Sequence, residues 1–225
     1  MAGIDEVGRG ALAGPVVAAC VIFAPPVSRL AQAGIADSKS LSPAKRTFLA
    51  GLIRQEALHV SLGWATVDEV NGKNVRGATF LAMSRAYGLI PSHLSEDPSF
   101  FLAVDGRDRV PGVLAPQVPV VGGDRKILSV AAASIVAKVA RDGYMDELDL
   151  LFPGYLFSKH KGYGTEDHRA AILRLGLSPH HRPLFCRKIS VRQLPLPEVW
   201  SLKIQTPDAQ GADRFIGSLK EGQDS

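Results

Sequence analysis

Apolar residues form short continuous runs that alternate with longer segments of helical periodicity. Residues 16–23 are an apolar run rich in β-branched side chains, which predicts a buried strand ended by the prolines that follow. Ser42 before Pro43 predicts a helix start, because serine caps a first turn and proline fits its first position. The same patterns predict a first strand leading into residues 5–6, further strands at residues 59–66, 100–104 and 118–121, and helices at residues 43–57, 67–86 and 127–151 and after Thr165.

The chain has the size and composition of one domain. Its 225 residues, of which 46% are hydrophobic, can bury a single core. The longest apolar stretch, residues 11–27, contains a glycine and three prolines and has no basic leader, so it predicts neither a membrane span nor a secretory signal. Cys20 and Cys186 have no spacing typical of disulfides or zinc sites, and we expect a reducing, cytoplasmic setting.

The net charge of +4 is unevenly distributed. Residues 156–192 contain eight Lys or Arg and two Asp or Glu, a local charge of +6, so the rest of the chain sums to −2. A basic C-terminal region suits a phosphate backbone, and acids elsewhere suit metal ions. An ordinary basic surface would give the same charge, so this distribution alone identifies no function.

The first acidic cluster combines Asp5 and Glu6 with Arg9 and flanking glycines. Apolar residues on both sides indicate a turn between buried strands, where carboxylates are unfavourable unless cations or hydrogen-bond donors compensate them. Carboxylate oxygens are ligands that Mg²⁺ and Mn²⁺ prefer, and glycines let backbone amides approach a ligand. The alternative is a tight hairpin whose acids face water. Neighbouring strand residues point to opposite faces, so the two acids share a site only where glycines bend the strand end.

Other acids also follow apolar strands. Asp105 comes directly after a predicted strand, and Asp124 follows a shorter strand and two glycines. Ligands of open α/β sheets bind at the C-terminal ends of strands, although Asp105 taken without the other acids fits an ordinary turn better. Asp68 and Glu69 differ, because Thr66 with an acid three residues later predicts a helix capping box.

Several of these motifs, in the same order, resemble those of the ribonuclease HII family, the type 2 ribonucleases H. The matching segments are Asp5-Glu6-x-Gly8-Arg9-Gly10, Leu12-Ala13-Gly14-Pro15-Val16, Asp37-Ser38-Lys39, Gly123-Asp124 through Arg141-Asp142, His160-Lys161-Gly162-Tyr163 and Ser178-Pro179-His180-His181-Arg182. The resemblance spans residues 1–190. The chain departs from the family at Gly122, where lysine is common, and at Gly164, where the family has proline.

The resemblance implies an α/β protein of the ribonuclease H-like fold, a mixed central β-sheet flanked by helices, with a small helical C-terminal region. It implies metal-dependent hydrolysis of the RNA strand of RNA/DNA hybrids. It also implies cleavage 5′ of single ribonucleotides embedded in duplex DNA, giving 3′-hydroxyl and 5′-phosphate ends. The expected cofactor is Mg²⁺ or Mn²⁺. The implied catalytic and metal-binding residues are Asp5, Glu6, Asp105 and Asp124, with Asp142 as the alternative for the fourth place.

The resemblance also implies substrate contacts. Gly8, Arg9 and Gly10 are expected at the 2′-hydroxyl, the group on the sugar that distinguishes RNA from DNA. Lys39 is expected near a substrate phosphate. Tyr163 is expected to stack on the sugar next to the ribonucleotide.

We divide the chain into a catalytic core at residues 1–143, a basic helical region at residues 144–200 that contributes to substrate binding, and a tail at residues 201–225. The tail lacks apolar periodicity, so we expect it to be disordered. Adjacent His180 and His181 lack the spacing of helical metal ligands, and we expect them to face phosphate or to be simply polar.

We expect a monomer, because no heptad or sustained repeat occurs. We expect it to bind RNA/DNA hybrids and ribonucleotide-containing duplex DNA and no membrane. Two other interpretations remain. Ribonuclease HIII shares the fold but generally carries an extra N-terminal domain, whereas this chain begins at the predicted catalytic strand. A non-catalytic binding module would gain nothing from four buried acids. Metal-dependent cleavage separates an enzyme from such a module.

Overall fold

The computed structural model describes residues 1–24, 34–35 and 41–189, which form one mixed β-sheet with helices on both faces. The strands are β1 (Ala2–Val7), β2 (Val16–Ile22), β3 (His59–Ala65), β4 (Leu102–Asp105) and β5 (Gln117–Val120). Their order across the sheet is β3-β2-β1-β4-β5, which places β1 in the centre. The predicted mixed central sheet is therefore confirmed.

The central strand has one antiparallel and one parallel neighbour. Ile4 of β1 lies opposite Cys20 of antiparallel β2 and opposite Val104 of parallel β4. β3 continues the antiparallel side and β5 the parallel side. Since β1, β4 and β5 run in the same direction, their C-terminal ends lie along the same edge of the sheet.

Two helical layers cover the sheet. The helices are α1 (Pro43–Glu56), α2 (Val67–Gly88), α3 (Ser92–Ser95), α4 (Leu128–Leu151), α5 (Phe157–His160), α6 (Glu166–Leu175) and α7 (Pro183–Cys186). Alternate residues of β2 enter two apolar cores: Val17 and Ala19 pack in the core that contains α1 and α4, and Val16 and Ala18 pack in the core that contains α2.

Glycines let two helices lie directly on the sheet. A Cβ atom at Gly3 would lie 2.3 Å from the backbone of Ser129 and Val130 in α4, and one at Gly63 would lie 2.0 Å from the carbonyl oxygen of Ala82 in α2. Only a residue without a side chain permits such an approach. The central strand is therefore held directly against α4.

Helix α2 begins as predicted but is interrupted. The hydroxyl of Thr66 accepts a hydrogen bond from the Glu69 amide at 3.1 Å, and the Glu69 carboxylate accepts one from the Thr66 amide at 2.8 Å, which confirms the capping box. At Asn74 the backbone leaves the helical region, with φ 60° and ψ 168°. The Asn74 side chain accepts hydrogen bonds from the amides of Arg76 and Gly77 and thereby caps a second helical segment.

Some predictions fall at the limits of what is described. The predicted boundary at residue 143 lies inside α4, and the division into core and C-terminal region stays a prediction. Lys39 and the tail at residues 201–225 lie outside the described residues. Within the described ranges, none of the helices has the length and apolar character needed to cross a membrane.

Candidate active site

The first two acids lie at the C-terminal end of the central strand. Asp5 is 5% exposed, and the Glu6 side chain is 9% exposed. The Glu6 amide donates to Asp5 Oδ1 at 2.7 Å, and Arg9 Nη1 donates to Glu6 Oε1 at 3.0 Å. The chain then turns sharply at Gly8, where φ is +93°. β1 keeps its regular pairing with β2 through Val7, so this turn comes after both acids and does not itself bring them to one face.

The other two acids come from the neighbouring strands at the same edge. Asp105 is the last residue of β4, and its Oδ1 accepts a hydrogen bond from the Gly123 amide at 2.7 Å. Asp124 lies in a single 3-10 turn, Gly123–Arg125, that follows β5, and it is 3% exposed. The adjacent order of β1, β4 and β5 is what brings these acids together.

One pocket of about 350 Å³ is lined by all four acids. It is also lined by the basic residues Arg46 of α1 and Lys138 of α4 and by the aromatic residue Tyr163. Asp142, the alternative fourth acid, does not line this pocket. Its Oδ1 instead accepts a hydrogen bond from Lys138 Nζ at 2.5 Å, as the helical spacing of the two residues predicts.

The pocket holds more negative charge than its surroundings compensate. Burial, and then the charges of Glu6 and Asp105, raise the pKa of Asp5 well above its ordinary value, against an opposing hydrogen bond with Ser134. Burial also raises the pKa of Glu6, although its hydrogen bond and ion pair with Arg9 act in the opposite direction. A bound cation would relieve this repulsion.

The donor chemistry fits a hard divalent cation, but the carboxylates are not arranged as a finished site. Among residues 1–24, 34–35 and 41–189, no three or more His, Cys, Asp or Glu side chains form a ready-made metal-binding group. One oxygen of Asp5 and one of Asp105 accept hydrogen bonds from backbone amides instead. Each carboxylate retains a second oxygen. The carboxylates must therefore reorient to enclose a metal ion.

A glycine-rich loop, residues 8–15, connects β1 to β2 beside the acids. Arg182 is fully buried and donates to the carbonyl oxygens of Gly8, Arg9, Ala11 and Gly14 at 2.6–3.1 Å. The side chain of Arg9 remains exposed, and a Cβ atom at Gly10 would meet nothing within 4 Å. The expected substrate-contacting face of the loop is thus open, while its carbonyl groups are bound from within.

A second buried guanidinium supports the same loop. Arg141 of α4 donates to the carbonyl oxygens of Ala13, Pro15 and Lys161 at 2.8–2.9 Å. The sequence predicts neither this contact nor that of Arg182. The only signal is a pair of arginines within family-like motifs, since nothing local shows which distant carbonyls they reach.

Tyr163 lies between the pocket and the C-terminal region. Its ring centroid is 5.7 Å from Lys138 Nζ and 5.4 Å from Arg141 Cζ, within the range of cation–π attraction. The residue after it, Gly164, accepts a hydrogen bond from Arg169 Nε at 3.1 Å. The aromatic ring is therefore near the four acids, where the sequence places it.

The adjacent histidines are polar residues of the core. His180 and His181 are 6% and 2% exposed and lie within the C-terminal core, where the His180 ring packs against Phe152. The alternative in which they face a phosphate is therefore wrong. His181 Nδ1 accepts a hydrogen bond from the Ser178 amide at 2.9 Å, which allows its neutral imidazole to be buried.

The backbone conformation at position 122 explains why glycine stands where the family commonly has lysine. Its backbone adopts the left-handed conformation, with φ 66° and ψ 39°, at the start of the turn that carries Asp124. A lysine at this position would be in an unfavourable backbone conformation, although a Cβ atom there would meet nothing within 4 Å. Glycine therefore lets the turn form without strain.

Comparisons with known proteins agree with this arrangement. The sequence model of the ribonuclease HII family matches residues 2–188. Ribonuclease HII of Synechocystis sp. (strain ATCC 27184 / PCC 6803 / Kazusa) is 47% identical over 190 residues, which cover 84% of this chain and 97% of that protein.

Solved structures show the same fold. A chain of the PCNA:RNase HII complex from Archaeoglobus fulgidus aligns with a TM-score of 0.68 and 27% identity, covering 87% of this chain and 98% of that chain. Bst-RNase HIII in complex with Mn²⁺ aligns with a TM-score of 0.60 and 19% identity, covering 83% of this chain and 61% of that chain, a likeness of fold alone. The chain belongs to the ribonuclease HII family, the type 2 ribonucleases H, and is an endoribonuclease acting on RNA/DNA hybrids.

Proposed function

We propose that the chain cleaves duplex DNA on the 5′ side of a single embedded ribonucleotide, as well as the RNA strand of hybrids, with Asp5, Glu6, Asp105 and Asp124 as its metal-binding catalytic residues. The observation that carries this proposal is the meeting of all four acids in one pocket at the edge of three parallel strands. Mg²⁺ or Mn²⁺ bound there would supply activation of water and stabilisation of the leaving oxygen.

The surrounding residues orient the substrate. Arg46 and Lys138 line the same pocket and are placed to attract the phosphate backbone. The exposed part of the glycine loop, at Arg9 and Gly10, presents backbone groups to the ribose 2′-hydroxyl, whereas Gly8 is buried. The ring of Tyr163 offers an apolar surface for the neighbouring sugar. Near-complete burial of Asp5 and Asp124 limits the access of bulk water to this pocket.

The test is cleavage of a labelled DNA duplex that carries one ribonucleotide, beside an all-DNA duplex, in Mg²⁺, Mn²⁺ or chelator. We expect a single cut 5′ of the ribonucleotide with either metal ion, 3′-hydroxyl and 5′-phosphate ends, and no cut of all-DNA. Binding without cleavage in both metal ions would contradict the proposal and favour a binding module.

The acids are tested with a matched pair of variants. Asp105→Asn removes one pocket carboxylate, and we expect cleavage to fall about a hundredfold or more. Asp108→Asn is the control, because Asp108 is exposed and pairs with Arg76 at 3.1 Å on the surface. Near-normal cleavage by Asp105→Asn would remove that residue from the proposed site.

Tyr163 is tested by its preference for the ribonucleotide duplex over a hybrid. Tyr163→Ala removes the ring and should weaken that preference, whereas Tyr163→Phe retains the ring and should preserve it. Equal behaviour of the alanine variant and the parent protein would eliminate the proposed sugar contact.

A further inference from the structure

Three histidines form a buried cluster directly behind Tyr163. His160, His168 and His181 are 7%, 0% and 2% exposed. The rings of His160 and His168 stack with centroids 4.1 Å apart, and His168 Nε2 lies 3.0 Å from His181 Nε2. Phe157 packs its edge against this stack. None of these rings lines the four-acid pocket.

The hydrogen bonds allow one arrangement of protons. His181 Nδ1 accepts from the Ser178 amide at 2.9 Å, so in the neutral ring the proton lies on Nε2 and is donated to His168 Nε2. The proton of His168 must then lie on Nδ1, where it is donated to the carbonyl oxygen of Tyr163 at 2.9 Å. The His168 N–H group that donates to Tyr163 is thus determined by the hydrogen bond that His168 accepts from His181.

His160 holds the amide of Gly162, the residue before Tyr163. Its Nδ1 accepts from the Gly162 amide at 3.2 Å, so its Nε2 donates to the Tyr155 carbonyl oxygen at 2.7 Å. Imidazoles therefore hold the Tyr163 carbonyl group and the amide of the residue before it. The following residue is Gly164, which places no restriction of its own on the backbone.

We propose that His168 is a positioning residue for substrate recognition, which acts through the Tyr163 carbonyl group to hold the tyrosine ring at the pocket, with its donor set by His181. This inference rests on the proposed sugar contact of Tyr163. A second donor, the Thr165 amide, reaches the same carbonyl oxygen at 2.8 Å, so the loss of His168 loosens the loop and does not unfold it.

The cluster stays neutral at working pH. Burial, and then the neighbouring histidines, lower the pKa of His168 to about 4 and that of His181 to about 3. The other titratable and charged groups that face the cluster are Asp149 of α4, Lys159 of α5, Asp167 of α6, His180 and Tyr155. Protonation of His168 would set two N–H groups against each other at His181. Near pH 7 each ring carries the one proton that the network needs.

The proton arrangement is directly observable. Nitrogen-15 chemical shifts of the imidazoles in the full chain at pH 7 are expected to show the Nδ1–H tautomer at His168 and the Nε2–H tautomer at His160 and His181. An Nε2–H tautomer at His168 would overturn the proposal, because that ring would have no proton for Tyr163.

Kinetics test the positioning role with two variants at the same site. The amide of asparagine can take the place of Nδ1 and donate to Tyr163, whereas that of glutamine reaches the place of Nε2. For the ribonucleotide duplex we expect His168→Gln to raise KM about fivefold with kcat within about twofold of the parent, and His168→Asn to restore KM. Equal KM values for the two variants would overturn the proposal.

Substitutions of His181 test the same hydrogen bonds from the ring that donates to His168. His181→Gln retains a donor for His168 Nε2 and should leave KM unchanged, whereas His181→Asn retains the acceptor for Ser178 and loses that donor, so KM should rise. This pair decides the question if His168→Gln fails to fold. The reverse order of KM values would contradict the proposal.

A double-variant cycle separates this inference from the proposed function. In the Tyr163→Ala background, His168→Gln should add no further rise in KM, because the ring to be positioned is absent. If the two substitutions multiply each other's effect on KM, the role of His168 is overturned and that of Tyr163 stands. No effect of Tyr163→Ala alone would remove both.

Discussion

At the scale of single residues, the buried charge of Asp5 lowers the stability of the metal-free protein. Its carboxylate is buried, and burial with the adjacent acids raises its pKa. A carboxyl group whose folded-state pKa is raised favours its neutral form in the folded protein, so its ionisation at neutral pH is destabilising. Removal of this charge should therefore stabilise the metal-free protein.

We expect Asp5→Asn to raise the free energy of unfolding in chelator by about 1 kcal/mol and to reduce cleavage about a hundredfold or more. Denaturant unfolding measures the first effect, and the duplex assay measures the second. Asp108→Asn is the matched control and should change the free energy by less than about 0.5 kcal/mol. An Asp5→Asn protein less stable than its parent in chelator would show that the repulsion is absent.

Two glycines of the loop should differ in their tolerance of a methyl group. A Cβ atom at Gly8 would lie 2.3 Å from Arg141 Nε and 2.7 Å from the Pro15 carbonyl oxygen, at a φ of +93°. We expect Gly8→Ala to lower the free energy of unfolding by about 2 kcal/mol or more. Gly10→Ala meets open space, and we expect a change below about 0.5 kcal/mol. Similar losses in the two variants would contradict this account.

The acids were predictable because each one follows an apolar strand in the sequence. The structure brings Asp5, Asp105 and Asp124 to one edge, as strand direction predicts. The arginines behind the loop were not predictable. Arg182 contacts carbonyl groups about 170 residues earlier in the chain, and backbone oxygens leave no mark in a sequence.

At the scale of elements, the loop of residues 8–15 depends on contacts from outside itself. Within it the Ala11 amide donates to the Gly8 carbonyl oxygen at 3.3 Å, and most of its other carbonyl groups accept from the two buried guanidinium groups. A planar guanidinium with several donors can serve many acceptors, whereas a lysine ammonium cannot match that geometry. The conformation offered to the 2′-hydroxyl is therefore a property of distant arginines.

We expect Arg182→Lys to lower the free energy of unfolding by about 3 kcal/mol, because buried carbonyl groups lose their donors. Hydrogen exchange should show faster exchange of the loop amides at residues 8–14 than of those in β1. The control is Arg187→Lys, since Arg187 is exposed and donates one hydrogen bond, to the Leu184 carbonyl. Unchanged loop protection in Arg182→Lys would refute the supporting role.

Element boundaries followed local chemistry and were largely predictable. Ser42 and Thr165 cap their helices with hydrogen bonds from the amides of Lys45 and His168. The interruption at Asn74 was not predicted, because the apolar pattern of α2 continues through it. An asparagine with a positive φ and an extended ψ differs from an ordinary helical asparagine only in its dihedral angles.

At the scale of the whole molecule, apolar periodicity identified the strands but not their order. The parallel pair of β1 and β4 joins residues about 100 positions apart, and only the family resemblance implied it. The buried histidines likewise depend on the assembled C-terminal region. Their burial ties the stability of the entire fold to pH, because an unfolded chain protonates histidines that the folded protein keeps neutral.

We expect the free energy of unfolding to fall by about 2–4 kcal/mol between pH 7 and pH 5. The folded-state pKa values of His168 and His181, about 4 and about 3, lie below their ordinary value of 6.5, so stability is lost as pH falls from about 6.5 toward 4. The raised pKa of Asp5 acts in the opposite direction. The raised pKa of Glu6 acts in the same direction as that of Asp5. Urea unfolding of Asp5→Asn removes the larger opposing contribution, and a flat profile in that background would contradict the histidine effect.

The hydrogen bonds from Arg182 to the loop of residues 8–15 also have a consequence for protein synthesis. Ribosomes produce the N-terminal strand first, and β1, β2 and β3 can pair once about 65 residues are available. Asp105 of β4 and Asp124 of the turn after β5 are synthesised later, and Arg182 later still. A growing or truncated chain without Arg182 therefore lacks the support of this loop, and we expect nuclease activity to begin only when the fold is nearly complete.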